Sequence, residues 1–428
     1  MTETFVIVGA GLAGGGAAAT LREEGFDGRV VLIGAEPQPP YERPPLSKEY
    51  LHGESSFEQA LFQPLDFYGK NNIETRFGVR VTRVHATEKV IELDNGERVP
   101  YEALLVTTGV RNRRIPIPGF DLEGIYGLRT VADSDHIRAE ISPGRKAVVV
   151  GMGFIGSEVA ASLRQSGVEV AVVDRNTVPL RRVLGEEVGR VVEEIHRDHG
   201  TELIFEDKVA AFEGAERVER VTTQRGHRIE CDFVVVGLGV EPVTELLAGT
   251  GVDIGNGVLV DEYCRTSVEG IYAAGDVANH YHPVFERHIR VEHWQNALKQ
   301  GQAAARNMLG ENEPYDEIPW FWSDQYEHSL QYAGFHTEWD ELVIRGSLEE
   351  RNFVGFYRKD RQVLAAVAIN RGRDLRRSIP LIKNQEQITA AKLCDLDIDL
   401  RTLAGMQEIH RRNAIDDPAG VDNYGHTS

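Results

Sequence analysis

The sequence predicts an α/β protein in which one strand–turn–helix–strand motif occurs twice and is followed by a smaller α+β domain. Two short β-branched runs, at residues 4–14 and 146–156, each end in the spacing G-x-G-x-x-G. An alanine-rich helical stretch and a second apolar strand follow each run, as expected for a buried parallel sheet. From about Glu313 onward, aromatic and alternating residues are typical of an antiparallel sheet.

The first motif has the chemistry of a dinucleotide-binding turn. Gly9 permits a tight turn, Gly11 lets the backbone approach a pyrophosphate, and Gly14 lets the helix and strand pack closely. The unpaired N–H groups at the helix N-terminus would face the phosphates. Glu36 follows the second strand, where a carboxylate accepts hydrogen bonds from a ribose.

The second motif repeats this arrangement with Gly151, Gly153 and Gly156, and Asp174 takes the place of the acid. Two complete motifs, each ending near a carboxylate, are a specific signal for a pair of Rossmann-like dinucleotide-binding domains. A carboxylate at Asp174 would repel a 2′-phosphate by about 1–4 kcal/mol at a distance of about 4 Å. This favours NADH over NADPH, although three nearby arginines would soften the preference: Arg175, Arg181 and Arg182.

Composition argues against several classes of function. The formal net charge of −20 disfavours a nucleic-acid partner, because phosphate binding requires a dense basic surface. No apolar run approaches the roughly 20 residues that span a bilayer, and the first strand begins too early to leave room for a cleaved signal peptide. Three scattered cysteines, Cys231, Cys264 and Cys394, indicate neither a disulfide framework nor a metal site, so we expect a cytoplasmic protein.

Several segments carry a resemblance to a known family. In order, they are residues 9–14, 43–48 (Arg-Pro-Pro-Leu-Ser-Lys), 105–109, 128–130, 151–158, 236–239, 272–276 and 319–325 (Pro-Trp-Phe-Trp-Ser-Asp-Gln). With this set the chain resembles, to about residue 405, the FAD-dependent NAD(H) ferredoxin reductases, a group that includes putidaredoxin reductase, rubredoxin reductase and Rieske-oxygenase reductase components. The resemblance implies a glutathione-reductase-like architecture in which the first motif binds FAD and the second binds NADH.

The resemblance also implies domain bounds and cofactor contacts. The expected segments are an FAD-binding domain (1–110 and 235–312), an NAD-binding domain (111–234), a C-terminal α+β domain (313–410) and a flexible tail (411–428). The expected cofactor-binding residues are Gly9, Gly11, Ala13, Gly14, Glu36, Arg43, Lys48, Val81, Thr108, Gly109, Arg129, Gly151, Gly153, Ile155, Gly156, Glu158, Asp174, Gly239, Gly275, Asp276 and Trp294. Plain core packing is the competing interpretation for Trp294.

Three residues are implied to act at the reacting centre: Lys48, Glu158 and Trp322. The matching lysine of the family lies near the flavin N5 edge, and the matching glutamate lies near that lysine and the nicotinamide. A cation there would stabilise reduced flavin, and a carboxylate would hold the cation in position. A solvated surface location is the alternative for Lys48 and Glu158, and core packing is the alternative for Trp322.

The predicted function follows from the resemblance and from one absence. Disulfide reductases of this fold carry a cysteine pair after the FAD acid, whereas this chain has no cysteine between Glu36 and Lys48. We therefore expect an enzyme that takes hydride from NADH onto FAD and passes single electrons to a ferredoxin or rubredoxin serving a P450 or Rieske oxygenase. The alternatives are an oxygen, quinone or small-radical acceptor, and a redox-sensing binding protein resembling apoptosis-inducing factor.

A basic run in the last domain suggests where a small acidic iron–sulfur carrier would dock. The run contains Arg371, Arg373, Arg376, Arg377 and Lys383. Opposite charge would steer the carrier to this surface, at a rate that falls as salt rises. The competing interpretation is an ordinary solvated turn and helix face.

Overall fold

The computed structural model describes residues 3–405. These residues divide into two compact units, with the boundary between His328 and Ser329. No helix in this described part of the chain is long and apolar enough to cross a membrane. The tail expected at residues 411–428 lies outside the described residues.

The first sheet of the N-terminal unit has five parallel strands with the first motif at its centre. In spatial order the strands are Ile271–Ala273, Ala103–Val106, Thr4–Val8, Arg29–Gly34 and Ile73–Phe77. Val6 and Ile7 are fully buried because their side chains point to opposite faces of a sheet that is covered on both sides. The carboxyl end of the central strand leads directly into the glycine turn.

The second sheet repeats this plan around the second motif. Its five parallel strands, in spatial order, are Glu202–Ile204, Glu169–Val173, Lys146–Val150, Phe233–Val236 and Ile125–Tyr126. The first sheet draws its strands from residues 4–106 and 271–273, and the second draws its strands from residues 125–236. This order agrees with the expected FAD and NAD segments, whose bounds stay a prediction.

Two helices follow the glycine turns, at Leu12–Glu23 and Phe154–Gln165. A third, Trp294–Met308, packs against the first at Gly301, where an added Cβ would lie 2.3 Å from the carbonyl oxygen of Ala13. The remaining helices of this unit are Glu49–His52, Phe57–Ala60, Phe67–Lys70, Val131–Glu140 and Arg181–Asp198. Short 3₁₀ turns occupy Pro44–Ser47, Glu245–Leu247 and Gly275–Val277.

Smaller sheets complete the N-terminal unit. Two are three-stranded antiparallel sheets: Val81–His85, Val90–Leu93 and Arg98–Pro100, and Val209–Glu213, Arg220–Thr223 and Arg228–Glu230. Val110–Asn112 pairs with Val240–Pro242, and a four-stranded sheet contains Ile254–Gly255, Gly257–Val260, Ala278–His282 and Arg287–Arg290. The strand Trp320–Gln325 lies near the end of the unit.

The C-terminal unit is built on antiparallel strands, which confirms the predicted α+β character of this region. Its strands are His328–Gly334, Glu341–Ser347, Asn352–Lys359 and Gln362–Ile369. Helices Gly372–Lys383 and Ala390–Cys394 and the 3₁₀ turn Leu400–Leu403 follow. Phe353, Phe356 and Tyr357 are fully buried and supply much of the apolar volume of this core.

Candidate active site: two nucleotide turns joined by a buried ion pair

The first glycine turn combines close packing with open space. Gly9 has a φ of +119°, and an added Cβ would lie 2.2 Å from the carbonyl oxygen of Thr107. An added Cβ at Gly14 would lie 2.0 Å from the carbonyl oxygen of Gly9. At Gly11 an added Cβ would meet nothing within 4 Å, and no side chain caps the helix that begins there. The turn therefore presents unpaired N–H groups to open space, an arrangement that fits a pyrophosphate.

The second glycine turn has the same geometry. Gly151 has a φ of +92°, and an added Cβ at Gly156 would lie 2.0 Å from the carbonyl oxygen of Gly151. Gly153 again faces open space, and the helix behind it has no side-chain cap. Ile155, the second residue of that helix, is a large apolar side chain that stays 46% exposed. An exposed isoleucine beside an uncapped helix N-terminus fits a ligand that has a flat ring as well as phosphates.

The two predicted acids have different partners. Glu36 accepts hydrogen bonds from the Tyr41 hydroxyl at 2.6 Å and from Arg43 Nη2 at 2.8 Å. Asp174 is buried, and its Oδ2 accepts from the backbone N–H of Met152 at 2.6 Å. Its Oδ1 accepts from the backbone and side-chain nitrogens of Asn176. Because Met152 lies inside the second glycine turn, Asp174 also holds the shape of that turn.

A second cluster gathers four residues that were predicted to contact FAD. Arg129 Nη2 lies 2.9 Å from Asp276 Oδ2, and Arg43 donates to the carbonyl oxygen of Arg129. Burial lowers the pKa of Arg129. Burial also acts to lower the pKa of Arg43, but Tyr41 and the carboxylates Glu36 and Asp276 outweigh it and raise that pKa. An added Cβ at Gly109 would lie 3.3 Å from Arg129 Nη2, so this glycine leaves space for the guanidinium group.

Lys48 and Glu158 are brought together from distant parts of the chain. Lys48 lies between the 3₁₀ turn Pro44–Ser47 and the helix Glu49–His52, in the segment that follows the strand Arg29–Gly34. Glu158 lies on the buried face of the helix Phe154–Gln165, which begins at the second glycine turn. The pair therefore joins the segment after the first motif to the helix of the second.

The ion pair is largely buried, and both of its members make further hydrogen bonds. Lys48 Nζ lies 2.8 Å from Glu158 Oε2, and the two side chains are 13% and 5% exposed. Ser47 donates to the same carboxylate oxygen at 2.5 Å, and Ser323 donates to Oε1 at 2.7 Å. Lys48 Nζ also donates to the carbonyl oxygen of Pro44 at 3.2 Å. These donors fix the orientation of the carboxylate, which holds the ammonium group at one position.

The aromatic residues predicted to lie by the flavin form one cluster. The rings of Trp320 and Trp322 stack with centroids 5.4 Å apart, and Trp294 meets Trp322 edge-on at 5.9 Å. The buried Nε1 atoms of Trp294 and Trp320 find no hydrogen-bond partner among the described residues. Buried indole N–H groups usually have a partner, so this cluster also fits a site that holds a polar ligand.

The remaining residues predicted to contact a cofactor take part in packing or in hydrogen bonds within the protein. Val81 is buried in the hydrophobic core and pairs with Leu93, so its side chain has a packing role. Thr108 Oγ1 donates to the carbonyl oxygen of Val243 at 2.6 Å. Gly239, with a φ of +85°, accepts from the backbone of Arg113, and the N–H of Gly275 donates to Gln300 Oε1. Ala13 contacts Gly301, as described above. The cofactor contacts of these residues stay predictions.

The cysteines lie apart from the contacts described above. The thiols of Cys231 and Cys264 are buried, and burial raises the pKa of Cys231 to about 12. Cys394 belongs to the C-terminal unit. Within residues 3–405 no group of histidines, cysteines and carboxylates has the arrangement of a metal site. A chemistry without a thiol nucleophile stays a prediction.

The sequence interpretation missed several polar partners. Ser47 and Ser323 both donate to Glu158, and Tyr41 donates to Glu36. Ser47 and Ser323 lie inside segments that carried the family resemblance, and Ser47 is the neighbour of Lys48. For Ser47, the signal that could have identified it is a hydroxyl group next to the lysine implied at the reacting centre, whereas Ser323 lies 165 positions from Glu158.

Known proteins share this architecture. The sequence pattern of the pyridine nucleotide-disulphide oxidoreductase family matches residues 3–301. The chain belongs to this family. A second pattern, the reductase C-terminal domain, matches residues 320–404. As a pyridine nucleotide-disulphide oxidoreductase without cysteines between Glu36 and Lys48, this member has the family's fold without a thiol pair in that segment.

Individual relatives in the family cover nearly the whole chain. Rhodocoxin reductase of Rhodococcus erythropolis is 36% identical over 410 residues, covering 95% of this chain and 96% of the relative. The ferredoxin reductase subunit of 5,5'-dehydrodivanillate O-demethylase from Sphingobium sp. is 38% identical over 406 residues, covering 94% and 98%. The structure of a covalent putidaredoxin reductase–putidaredoxin complex aligns with a TM-score of 0.91 at 32% identity, covering 94% and 98%.

Proposed function

We propose that this protein is an FAD-dependent NADH:ferredoxin oxidoreductase that delivers single electrons to the ferredoxin of an oxygenase system. The buried Lys48–Glu158 pair carries the proposal, because it links the two nucleotide turns through one fixed charge. The relatives support the same assignment, since their names identify reductases that serve a ferredoxin or an oxygenase. The enzyme would thus connect a two-electron donor to a one-electron carrier.

In this proposal, a different set of residues binds each of the two cofactors. The turn from Gly9 to Gly14 would bind the FAD pyrophosphate, and Glu36 would accept hydrogen bonds from a ribose of FAD. Arg129 and Asp276 would contact other parts of FAD. The turn from Gly151 to Gly156, with Asp174, would bind NADH in the same manner. FAD supplies the ability to accept two electrons together and release them one at a time.

Lys48 would keep a positive charge at Nζ beside the reacting rings. Glu158 and the carbonyl oxygen of Pro44 hold that atom in position, and Ser47 in turn donates to Glu158. Little reorganisation is therefore needed when negative charge develops nearby. The pair is screened from water by its burial, which strengthens its field on a neighbouring group. Alignment of the donor and acceptor then matters more than any proton relay.

The choice of NADH over NADPH depends on the charges around Asp174. Glu186 Oε2 lies 3.0 Å from Arg181 Nε and also accepts from the Thr177 hydroxyl at 2.8 Å. Arg181 is therefore already paired with a carboxylate, while Arg175 and Arg182 are exposed. The negative charge of Asp174 would disfavour a 2′-phosphate, and the exposed Arg175 and Arg182 would soften that preference.

The experiment that tests the function is anaerobic mixing of the purified, FAD-supplemented protein with NADH or NADPH, followed by mixing with ferredoxins. NADH should bleach the flavin absorbance faster than NADPH, and a ferredoxin should then restore it. Protein that stays colourless after addition of FAD would contradict the proposal. Faster turnover with oxygen, a quinone or a small radical than with any ferredoxin would assign a different acceptor, and slow bleaching with NADH-dependent partner binding would indicate a sensor.

We also propose that an acidic iron–sulfur carrier docks on the helix Gly372–Lys383. Arg373 and Arg376 are exposed and make no ion pair with a described residue. Arg377, also predicted to dock, lies 3.8 Å from Asp374 and 3.7 Å from Asp399, so its charge is partly neutralised. The docking surface is thus narrower than the basic run in the sequence, and ferredoxin is the carrier to test first, with rubredoxin second.

Charge reversal separates docking from the chemistry of the active site. Arg373→Glu with Arg376→Glu should slow ferredoxin reduction about tenfold at low salt and leave ferricyanide reduction unchanged. Arg225→Glu with Arg228→Glu, a pair of exposed arginines of the N-terminal unit, is the matched control with the same change in net charge. Equal effects of the two double variants would refute the docking surface.

The three unpaired cysteines are consistent with action in a reducing cytoplasm.

A further inference from the structure

A chain of buried hydrogen bonds extends from Glu158 away from Lys48. Ser323 donates to Glu158 Oε1, and Ser323 Oγ accepts from Gln325 Nε2 at 3.1 Å. Gln325 Oε1 lies 2.9 Å from His196 Nε2, and His196 Nδ1 lies 3.3 Å from the Tyr326 hydroxyl. Ser323 and His196 are completely buried, and Gln325 is 4% exposed. We call Ser323, Gln325 and His196 the Glu158 support chain.

The direction of every bond in this chain follows from the charge of Glu158. An ionised carboxylate only accepts, so Ser323 must give its single hydroxyl proton to Glu158. Ser323 then accepts from the amide nitrogen of Gln325, which leaves the Gln325 carbonyl facing His196. A carbonyl oxygen also only accepts, so His196 must carry its proton on Nε2. The remaining ring nitrogen, Nδ1, accepts from the Tyr326 hydroxyl.

The chain cannot serve as a simple proton relay. Gln325 stands in its middle, and an amide neither gains nor loses a proton readily. His196 is also poorly suited to carry charge, because burial lowers its pKa to about 4. A directional chain of neutral donors that ends on a carboxylate instead orients that carboxylate.

We propose that Ser323, Gln325 and His196 are positioning residues that orient Glu158 for its ion pair with Lys48, and that His196 is locked as the Nε2–H tautomer. The inference deepens the proposed function and rests on it for its consequence in catalysis. Ser47 already donates to Oε2, the oxygen shared with Lys48. The support chain holds the other oxygen, so the carboxylate cannot rotate without losing a donor.

The tautomer is tested first, because that measurement needs no turnover. The protein is labelled with ¹⁵N-histidine, and the His196 resonances are assigned by their loss in His196→Gln. The Nε2–H tautomer at neutral pH is the expected result. A charged ring or an Nδ1–H tautomer would overturn the inference, and neither result bears on whether the protein is a ferredoxin reductase.

The effect on the site is tested with paired substitutions at each end of the chain. Gln325→Glu keeps the shape but replaces the donor to Ser323 with an acceptor, and His196→Leu removes the donor to Gln325. Each should slow flavin reduction by NADH roughly tenfold and shift the flavin midpoint potential, while the KM for ferredoxin stays unchanged. His196→Gln restores a donor to Gln325 and should recover most of the rate.

A control separates positioning from general stability. His280→Gln alters another buried histidine that lies outside the support chain and should lower thermal stability without changing the rate or the potential. If folded Gln325→Glu and His196→Leu keep both the wild-type rate and the wild-type potential, the positioning role is refuted while the proposed function stands. If wild-type protein itself is not reduced by NADH, the proposed function fails. The tautomer of His196 still tests the hydrogen-bond directions in the Glu158 support chain.

Discussion

The two nucleotide-binding motifs have the same turns but different surroundings for their acids. In both turns, an added Cβ at the first or third glycine would lie 2.0 to 2.5 Å from a backbone carbonyl oxygen, whereas the middle glycine faces open space. Glu36 is partnered by a tyrosine and an arginine, so a cation partly balances its charge. Asp174 is bound by backbone and amide N–H groups, which orient its charge without cancelling it.

This difference shows how one sequence pattern supports two selectivities. The glycine spacing fits a pyrophosphate in both motifs, and we propose that the neighbours of the acid determine which dinucleotide is accepted. One of the three arginines near Asp174, Arg181, is paired with Glu186. Arg175 and Arg182 are exposed, so the proposed preference for NADH rests on the charge of Asp174 itself.

The largest expected effect comes from the packed glycines. Gly14→Ala and Gly156→Ala would each force a Cβ to about 2.0 Å from a backbone oxygen, so a loss of FAD content and of NADH binding, respectively, is expected. Gly11→Ala and Gly153→Ala meet no protein atom and should leave folding intact while weakening nucleotide binding. FAD stoichiometry and NADH titration measure both. Equal damage at the packed and open positions would refute the equivalence of the two turns.

The next effect concerns the residue pair that links the motifs. Lys48→Met would leave Glu158 charged and unpaired in the interior, which should lower the free energy of unfolding by about 3–5 kcal/mol. The double variant Lys48→Met, Glu158→Gln should recover much of that stability, because no buried charge is left, and should remain slow in hydride transfer. Urea unfolding of the three proteins provides the measurement. A single variant as stable as wild type would show that the pair is solvated.

The stability of the protein should depend on pH because His196, in the Glu158 support chain, is buried. Burial lowers the pKa of His196 to about 4 from an ordinary value of 6.5. Between these values the unfolded chain binds a proton that the folded protein does not, so the free energy of unfolding falls as the pH falls. Since one pKa unit corresponds to about 1.4 kcal/mol, the loss should reach about 3 kcal/mol by pH 4. The difference in urea stability between pH 7 and pH 4 should be smaller in His196→Gln, and an unchanged difference would exclude His196 as the source.

The smallest effect compares the two acids directly. Asp174→Asn should raise the preference for NADPH relative to NADH about tenfold, because the charge that repels the 2′-phosphate is removed. Glu36→Gln is the matched change in the first motif and should weaken FAD binding without altering the NADPH-to-NADH ratio of kcat/KM. A change in that ratio for Glu36→Gln, or none for Asp174→Asn, would mean that the assignment of donors to motifs is wrong.

Sequence reasoning identified the fold and the family correctly because the signals involved are local or already organised in motifs. Each glycine turn is complete within six residues, and its steric requirements arise between neighbours such as Gly9 and Gly14. The proposed docking surface could not be judged in this way. Arg373, Arg376 and Arg377 look alike in the sequence, and only the approach of Asp374 and Asp399 distinguishes the third from the others.

The sequence by itself determined the two glycine turns, the acids that follow them and the lack of a cysteine between Glu36 and Lys48, because short-range geometry and residue identity suffice for these features. Only the tertiary structure decided the surroundings of Glu158. Ser323 is separated from it by 165 positions, and His196 is separated from Gln325 by 129. A hydrogen bond depends on distances of about 3 Å between groups that the chain order does not bring together, so folding alone could reveal which hydroxyl, amide and imidazole support the carboxylate.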